Sequence, residues 1–246
     1  MLFRGTLLIA TATGLLSTAL PLGASEPVAE WTFSGKDPLK DAKGGLVATP
    51  TASNPEGSLS SAGGALSFTP RVVEGITRGG TLEIPWDKLV ARFQKGFSLS
   101  FTMTYTSLDR GANGKDLGII DTAGRQPGPF RFGVNQGPNG EKYYVRLTTD
   151  PTGDPSLTMV TDRLPSEVGR PIDVLISVGE LKDDQYEIKL FIDDKLIKSE
   201  KGTVYPLFED TSLIIGSYLE RGKMENFFDG TISNLRIQPA PVAREE

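Results

Sequence analysis

The sequence predicts an all-β domain, either a sandwich or a barrel, and two observations support that prediction. Residues 97–106 place a large apolar side chain at every odd position and Ser or Thr at every even one. A period of two is that of a strand with one buried face. In addition, roughly a dozen short apolar segments are separated by clusters of Gly, Pro, Asn and Asp, which is the spacing of sandwiches and barrels.

The other strands follow from the same patterns. Residues 172–178 and 186–192 predict two strands joined by a polar connection, and Asp193-Asp194 predicts a tight turn into a strand over 195–197, because Asp tolerates the left-handed conformation. Only residues 86–93 indicate a short helical turn. The shorter predicted strands are residues 31–33, 46–48, 65–68, 81–84, 117–120, 130–134, 143–148, 157–160, 212–215 and 231–237.

The first 25 residues have the features of a secretory signal peptide. Arg4 is their only charged residue, residues 6–22 are apolar or small, and Gly23-Ala24-Ser25 suits signal peptidase. A membrane anchor is the alternative, but this apolar run is at the lower limit for a spanning helix and contains Pro21. We therefore expect cleavage near Ala24 or Ser25, a periplasmic or secreted protein, and no membrane insertion after cleavage.

Removal of residues 1–25 leaves one domain over residues 26–238 and a tail, 239–246, that is predicted to be disordered. The chain has 26 Lys and Arg against 31 Asp and Glu, a formal net charge of −5, and loss of Arg4 makes it one unit more negative. Acidity of this size argues against nucleic acid and anionic membranes as partners, since both require clustered basic residues. The chain has no Cys, so its stability must come from burial rather than from disulfides.

The lack of His and Cys also limits the chemistry that the chain can perform. It excludes Ser-His-Asp triads, Cys-His pairs and His-based zinc sites. Carboxylate chemistry remains, but the Glu-x-Asp-x-x-Glu strand motif of some jelly-roll glycoside hydrolases does not occur in the sequence. We therefore expect a binding protein rather than an enzyme.

An ordered set of segments spans residues 28–238. These segments are Ala29-Glu30-Trp31-Thr32-Phe33, Asp41-Ala42-Lys43-Gly44-Gly45, Phe97-Ser98-Leu99-Ser100-Phe101, Tyr186-Glu187-Ile188-Lys189-Leu190-Phe191-Ile192-Asp193-Asp194-Lys195-Leu196, Leu213-Ile214-Ile215-Gly216 and Phe228-Asp229-Gly230-Thr231-Ile232-Ser233-Asn234-Leu235-Arg236-Ile237. In this order they resemble the laminin-G-like domains of bacterial exported proteins. That resemblance implies a two-sheet, antiparallel jelly-roll sandwich of the concanavalin A-like type. The chain departs from the family where Arg170-Pro171-Ile172-Asp173 replaces a Trp-His strand start.

The closing segment predicts an irregular strand. Ile232 and Leu235 are an odd number of residues apart, so a regular strand would place them on opposite faces. A β-bulge near Ser233-Asn234 would bring both side chains into the core.

The resemblance also implies calcium as an optional cofactor, because laminin-G-like domains often hold this ion at the sandwich rim with Asp carboxylates and backbone carbonyls. Asp41 and Asp229 match that site by position, and Asp121 is a third candidate. The alternative is that Asp41 and Asp229 cap turns through hydrogen bonds to the backbone.

In carbohydrate recognition, sugar faces stack on exposed aromatic rings and polar side chains hold the hydroxyl groups. The candidates that lie at strand ends or beside loops are Trp86, Phe130, Tyr143, Tyr144 and Tyr218. Adjacent residues of a strand point to opposite faces, so at least one of Tyr143 and Tyr144 is expected to face outward. The alternative to a sugar-binding platform is that these aromatic side chains are buried in the core, where lone aromatics of β proteins, above all Trp, usually lie.

Three hypotheses of function follow. The first is an exported binding module for a glycan or for an extracellular or periplasmic protein, with calcium optional. The second is a carbohydrate-active enzyme, a glycoside hydrolase or polysaccharide lyase, with carboxylates assembled from distant strands. The third is a structural envelope protein that uses an exposed sheet for assembly.

Overall fold

A computed structural model gives the fold of most of the chain. It describes residues 26–43, 45–51, 54–86, 89, 93, 95–107, 115–123, 129–137, 139–148, 156–164, 167–182, 185–204, 211–220, 223–239 and 241. The predicted signal peptide and most of the predicted tail lie outside the described residues. Within these ranges, no helix reaches the length and apolar character that crossing a bilayer requires.

Nineteen strands account for the described architecture. They are β1 (Ala29–Trp31), β2 (Thr49–Pro50), β3 (Leu59–Ala62), β4 (Ala65–Phe68), β5 (Arg71–Val73), β6 (Ile76–Arg78), β7 (Leu82–Ile84), β8 (Gly96–Tyr105), β9 (Lys115–Ala123), β10 (Phe130–Gly137), β11 (Gly140–Thr148), β12 (Ser156–Val160), β13 (Pro171–Glu180), β14 (Tyr186–Ile192), β15 (Lys195–Gly202), β16 (Ser212–Ile215), β17 (Tyr218–Glu220), β18 (Lys223–Glu225) and β19 (Gly230–Gln238).

The strands form two large sheets and two small hairpins. The eight-stranded sheet has the order β15-β14-β13-β8-β19-β4-β3, with β1 also paired to β19. The seven-stranded sheet has the order β12-β11-β10-β9-β16-β7-β2. Two further pairs, β5–β6 and β17–β18, belong to neither sheet. The predicted all-β fold, an antiparallel jelly-roll-like sandwich, is confirmed.

The core lies between the two large sheets and follows the predicted alternation. On β8, the side chains of Phe97, Leu99, Phe101, Met103 and Tyr105 are all buried, with at most 3% of any of them exposed. The Ser and Thr residues between them lie on the opposite, outward face, where Ser100, Thr102 and Thr104 are partly exposed. Burial of apolar surface at about 25 cal/mol per Å² is the main term that stabilises such a sandwich.

The predicted bulge in the closing strand is confirmed. The pairing of β19 with β8 shifts register between Ser233 and Arg236, and the side chains of Ile232 and Leu235 are both fully buried. Asn234 adopts the left-handed conformation with φ 52°, which Asn tolerates better than most residues. The strand also changes neighbours here, because β4 pairs before the bulge and β1 pairs after it.

The predicted Asp193-Asp194 turn is also confirmed. Both residues have positive φ, 50° and 65°, as the turns of two-residue hairpins require. The turn joins β14 to β15, and Ile192 pairs with Lys195 across it. β15 runs to Gly202, further than the predicted strand over 195–197, because its polar side chains do not show an apolar period.

The two hairpins and β3 were not expected from the sequence. All eight residues from Arg71 to Arg78 are exposed, so no buried face gives β5 and β6 a clear period of two. In the predicted helical turn, Leu89 is helical and donates its backbone N–H to Trp86 O at 2.9 Å. Apart from Trp86 and Phe93, the other residues of that segment lie outside the described residues.

Candidate ligand-binding grooves

The outward face of the eight-stranded sheet carries a groove of about 430 Å³. We call it the sheet-face groove. Its lining combines hydroxyl, carboxylate, amide and guanidinium groups with apolar side chains: Ser100, Phe101, Thr102, Asp173, Val174, Leu175, Phe191, Asp194, Asn234 and Arg236. Its volume lies in the range of about 300–1,000 Å³ that is usual for small-ligand sites.

A row of hydrogen bonds crosses three adjacent strands on the floor of this groove. Asn234 on β19 donates its amide to Thr102 Oγ1 at 3.5 Å, and Thr102 on β8 donates to Asp173 Oδ1 on β13 at 2.6 Å. Further along β19, Arg236 Nε lies 2.7 Å from Glu30 Oε1. Because these groups stand on rigid central strands, they are held in place before any ligand arrives.

The bulge and the Asp193-Asp194 turn together position this row. Without the bulge, the side chains around Asn234 would point alternately to the two faces of the sheet. The amide of Asn234 would then not point towards Thr102. The carboxylate of Asp193 accepts the backbone N–H of Asp173 at 3.0 Å and also binds Arg170. Asp194 lines the groove beside it. The turn therefore fixes the start of β13, where Asp173 stands.

An apolar cluster borders the polar row. Leu175 and Phe191 pair across β13 and β14 and pack with Leu196 on the outward face, away from the sandwich core. Their side chains are 5% and 4% exposed, and both line the groove. Because so little of either side chain is exposed, the groove offers a ligand chiefly its polar row.

A second and larger groove, of about 830 Å³, lies between the two hairpins β5–β6 and β17–β18. We call it the hairpin groove. The residues that line it are Ile76, Thr77, Arg78, Gly79, Leu219, Lys223, Met224, Glu225, Asn226 and Phe227. Phe227 packs closely over Gly79, where an added Cβ would lie 2.6 Å from the Phe227 Cβ.

The structure corrects the prediction for four of the five aromatic candidates, and three of these four pack in the core. Trp86, Phe130 and Tyr143 are at most 1% exposed, so their rings offer no face to a sugar. Trp86 packs against Phe93 with ring centroids 5.1 Å apart, Phe130 against Phe97 at 5.5 Å, and Tyr143 stacks on Phe132 at 6.2 Å. Burial raises the pKa of the Tyr143 hydroxyl. These residues serve the core, as the alternative interpretation held.

The other two aromatic candidates meet on the outward face of the seven-stranded sheet. Tyr144 is partly exposed, as expected from its opposition to Tyr143, and its hydroxyl is hydrogen-bonded to that of Tyr218. Tyr218 is 1% exposed, so its selection as a stacking platform was also wrong. The guanidinium of Arg131 lies 4.3 Å from the Tyr218 ring centroid, a cation–π arrangement.

Asp121 is an ion-pair partner of Arg131. Its Oδ2 lies 2.8 Å from Arg131 Nη2 and accepts the backbone N–H of Leu219 at 3.0 Å. Its Oδ1 accepts the backbone N–H of Thr122 at 2.9 Å. Burial raises the pKa of Asp121, and the charge of Arg131 opposes that rise. Protein donors thus occupy both oxygens of this candidate calcium ligand.

Asp41 caps a turn, which was the alternative to calcium binding. Its two carboxylate oxygens accept the backbone N–H groups of Lys43 and Leu46, each at 2.6 Å. The backbone carbonyl of Asp229 accepts the N–H of Thr106 at 3.2 Å. Among the described residues, no three acidic side chains lie close enough together to hold a metal, so Asp41, Asp121 and Asp229 do not form one site. Calcium binding itself stays a prediction.

The residues of the sheet-face groove were not selected from the sequence. The period-two pattern of residues 97–106 already placed Ser100 and Thr102 on one outward face. The pattern could not predict the order of the strands in the sheet. In that order β13 and β19 lie on either side of β8. The predicted bulge was the available signal, since bulges often re-aim a side chain beside a functional site.

Comparison with known proteins places the fold but not a family. No protein-family model and no curated protein matched the chain. Among solved structures, the binding domain of botulinum neurotoxin DC in complex with SialylT is 13% identical, with a TM-score of 0.61. The serotype C1 binding domain is also 13% identical, with a TM-score of 0.60. Each match covers 88% of this chain but only 48% and 49% of the respective neurotoxin domain.

A smaller structure also matched. The carbohydrate-binding module CBM40 of a Ruminococcus gnavus IT-sialidase, bound to α2,3-sialyllactose, is 13% identical with a TM-score of 0.48. That match covers 63% of this chain and 81% of the module. The chain thus spans about half the length of the neurotoxin domains and most of the module. At 13% identity the likeness to the neurotoxin domains concerns the fold, a jelly-roll-like β-sandwich.

Proposed function

We propose that the protein is a glycan-binding module and that the sheet-face groove holds the sugar. One observation carries the proposal, namely the polar row of Asn234, Thr102 and Asp173 on the floor of the groove. Sugar rings carry hydroxyl groups around their edge, and such a row can hydrogen-bond to them. Hydroxyls and amides both donate to and accept from sugar hydroxyls, and carboxylates accept from them.

The fold supports the same proposal. Structures that share it include the neurotoxin DC domain in complex with SialylT and a structure of botulinum neurotoxin type C, a toxin whose cell entry depends upon interaction with two ganglioside molecules. We extend the proposal to the fold type and the compartment. The sandwich would belong to the laminin-G-like group, and residues 1–25 would direct the chain to the periplasm or the exterior, where free glycans occur.

The charges of the groove favour a neutral sugar. Two carboxylates, Asp173 and Asp194, line it against one guanidinium, that of Arg236. Arg236 is already paired with Glu30, so it offers little attraction to a second carboxylate. An acidic sugar would meet a negative field in a chain of net charge −5. We therefore expect neutral oligosaccharides to bind here more tightly than uronates or sialylated glycans.

The test is a glycan array with the purified protein, followed by calorimetry with the best neutral oligosaccharide. Asp173→Ala removes the carboxylate at one end of the polar row. Asn234→Gly removes the amide at the other end and keeps a residue that tolerates positive φ. Asp162→Ala is the matched control, because Asp162 is exposed and lines neither groove.

We expect both groove variants to weaken binding at least tenfold and the control to bind like the unaltered protein. Glycan binding that survives both groove variants would place the site elsewhere and overturn the assignment. The function itself would be overturned if no glycan on the array bound and none raised the melting temperature, because a ligand of the folded state must raise it.

A further inference from the structure

The hairpin groove has a different character from the sheet-face groove, because it is lined by whole strands. All three residues of β6, Ile76 to Arg78, and all three residues of β18, Lys223 to Glu225, line it. No residue of β5 lines the groove, and Leu219 is the only residue of β17 that does. The strand that faces the groove is therefore β6 in the first hairpin and β18 in the second.

Both of these strands have an unpaired edge. Across the described ranges, β6 pairs with β5 alone and β18 pairs with β17 alone. An edge strand leaves a row of backbone N–H and C=O groups that only water or another strand can satisfy. Two such edges that face one groove can both hydrogen-bond to an extended chain laid between them, which is how peptides are recognised by strand addition.

The hairpin β5–β6 is suited to present its edge. Its turn, Glu74-Gly75, has φ values of 52° and 77°, so both central residues are left-handed, as in the two-residue turns that match strand twist. On the edge strand itself, the apolar side chain of Ile76 is 58% exposed. Covering such side chains is favourable, at about 25 cal/mol per Å² of apolar surface.

The side chains of the groove specify the chemistry of the partner. Ile76, Met224 and Phe227 supply apolar surface, whereas Arg78 and Lys223 supply two positive charges against the single carboxylate of Glu225. Neither Arg78 nor Lys223 forms an ion pair with any residue that the structure describes. The groove is thus locally positive in a chain of net charge −5, and a positive groove attracts an acidic segment.

From these observations we infer that the hairpin groove binds an extended, acidic peptide segment of another protein by strand addition to β6 and β18. Such a segment would alternate apolar residues with polar ones and carry at least one Asp or Glu opposite Arg78 or Lys223. The inference is independent of the glycan proposal, because the sheet-face groove and the hairpin groove share no residue.

The test begins with linear heptapeptides selected from a displayed random library on the purified protein. The best peptide is then synthesised in two forms, one N-methylated on its odd amides and one on its even amides. The amides of an extended chain point alternately to its two sides, so a chain between β6 and β18 uses one set on each edge. Both forms should therefore lose at least tenfold in affinity relative to the unmethylated peptide, as measured by fluorescence anisotropy. A methylated form that binds as tightly as the unmethylated peptide would contradict strand addition to both edges.

Charge reversal locates the site. Arg78→Glu and Lys223→Glu should each lower the affinity for the unmethylated peptide at least fivefold. Lys36→Glu is the matched control, because Lys36 is exposed and lies outside the groove. An equal effect of all three changes would overturn the site. Asp173→Ala should leave peptide binding unchanged, which separates failure of this inference from failure of the glycan proposal. A stable dimer that closes the groove in sedimentation experiments would also overturn it.

Discussion

Arg131 and Asp121 stand directly opposite each other on β10 and β9, and Arg131 Nη2 lies 2.8 Å from Asp121 Oδ2. Their side chains are 8% and 1% exposed, although they lie on the outward face of the sheet. The ring of Tyr218 and the backbone of Leu219 cover them. The ion pair therefore holds β17 onto β9 and β10.

Removing one partner of this pair should be costly. Asp121→Asn leaves the buried guanidinium without its counter-charge, so we expect the free energy of unfolding to fall by about 3 kcal/mol. Asp193→Asn is a control, because its pair with Arg170 is much more exposed and should cost less than about 1 kcal/mol. Urea unfolding followed by tryptophan fluorescence measures both. Similar losses in the two variants would refute a buried role for Asp121.

Gly133 allows Tyr218 to lie on the sheet. A Cβ at Gly133 would fall 1.2 Å from the Tyr218 hydroxyl and 2.8 Å from Tyr144 Cζ, so one side chain must move. We expect Gly133→Ala to reduce the free energy of unfolding by about 3 kcal/mol through overpacking. In a Tyr218→Ala variant, Gly133→Ala should reduce the free energy of unfolding by much less. A double-mutant cycle without coupling would contradict this contact.

Stability should fall at alkaline pH because of Tyr144. Burial raises the pKa of its hydroxyl to about 12, above the value of about 10 in an unfolded chain. Between these values the unfolded chain loses the proton and the folded chain keeps it, so the stabilisation present below pH 10 is lost as pH rises towards 12. Between pH 9 and pH 11, the free energy of unfolding of the Tyr144→Phe variant should fall by about 1 kcal/mol less than that of the unaltered protein. Identical losses would disprove the shift.

The bulge makes a prediction about position 234. Since Asn234 has φ 52°, Asn234→Ala should reduce the free energy of unfolding by about 1–2 kcal/mol, which is the usual cost of the left-handed conformation. Asn234→Gly should cost less, because Gly adopts positive φ without strain. Thermal unfolding of the two variants distinguishes them. A more stable Ala variant would show that the strand is regular in solution.

Calcium is tested by melting the protein with CaCl₂ and with EGTA. If Asp41 or Asp229 binds the ion, calcium raises the melting temperature, EGTA reverses the rise, and Asp41→Ala or Asp229→Ala abolishes it. Asp41→Ala should in any case cost about 1 kcal/mol, because it removes the acceptor of two backbone N–H groups. A melting temperature that neither CaCl₂ nor EGTA changes would reject the metal site.

Much of the fold could be predicted because its signals are local. The alternation over 97–106 reports one buried face, the odd spacing of Ile232 and Leu235 reports a bulge, and Asp193-Asp194 reports a left-handed turn. Each signal depends on residues close together in the chain, where side-chain direction and backbone conformation are coupled.

The grooves could not be predicted, because they depend on which distant strands become neighbours. Asn234 and Thr102 are 132 positions apart in the chain and meet only because β19 inserts beside β8. The aromatic candidates were misjudged for a related reason. Position beside a loop says nothing about which face a ring occupies, and Trp86, Phe130, Tyr143 and Tyr218 all lie where neighbouring elements cover them.

The position of β19 sets the order in which the protein can assemble. This strand is made after every other strand of the eight-stranded sheet, yet it lies in the interior of that sheet and pairs with β8, β4 and β1. During synthesis those strands cannot form their hydrogen bonds to β19 until residues 230–238 leave the ribosome. The slowest contacts to form are those that join the two ends of the domain, so a chain truncated before Gly230 would lose the middle of its sheet rather than a margin.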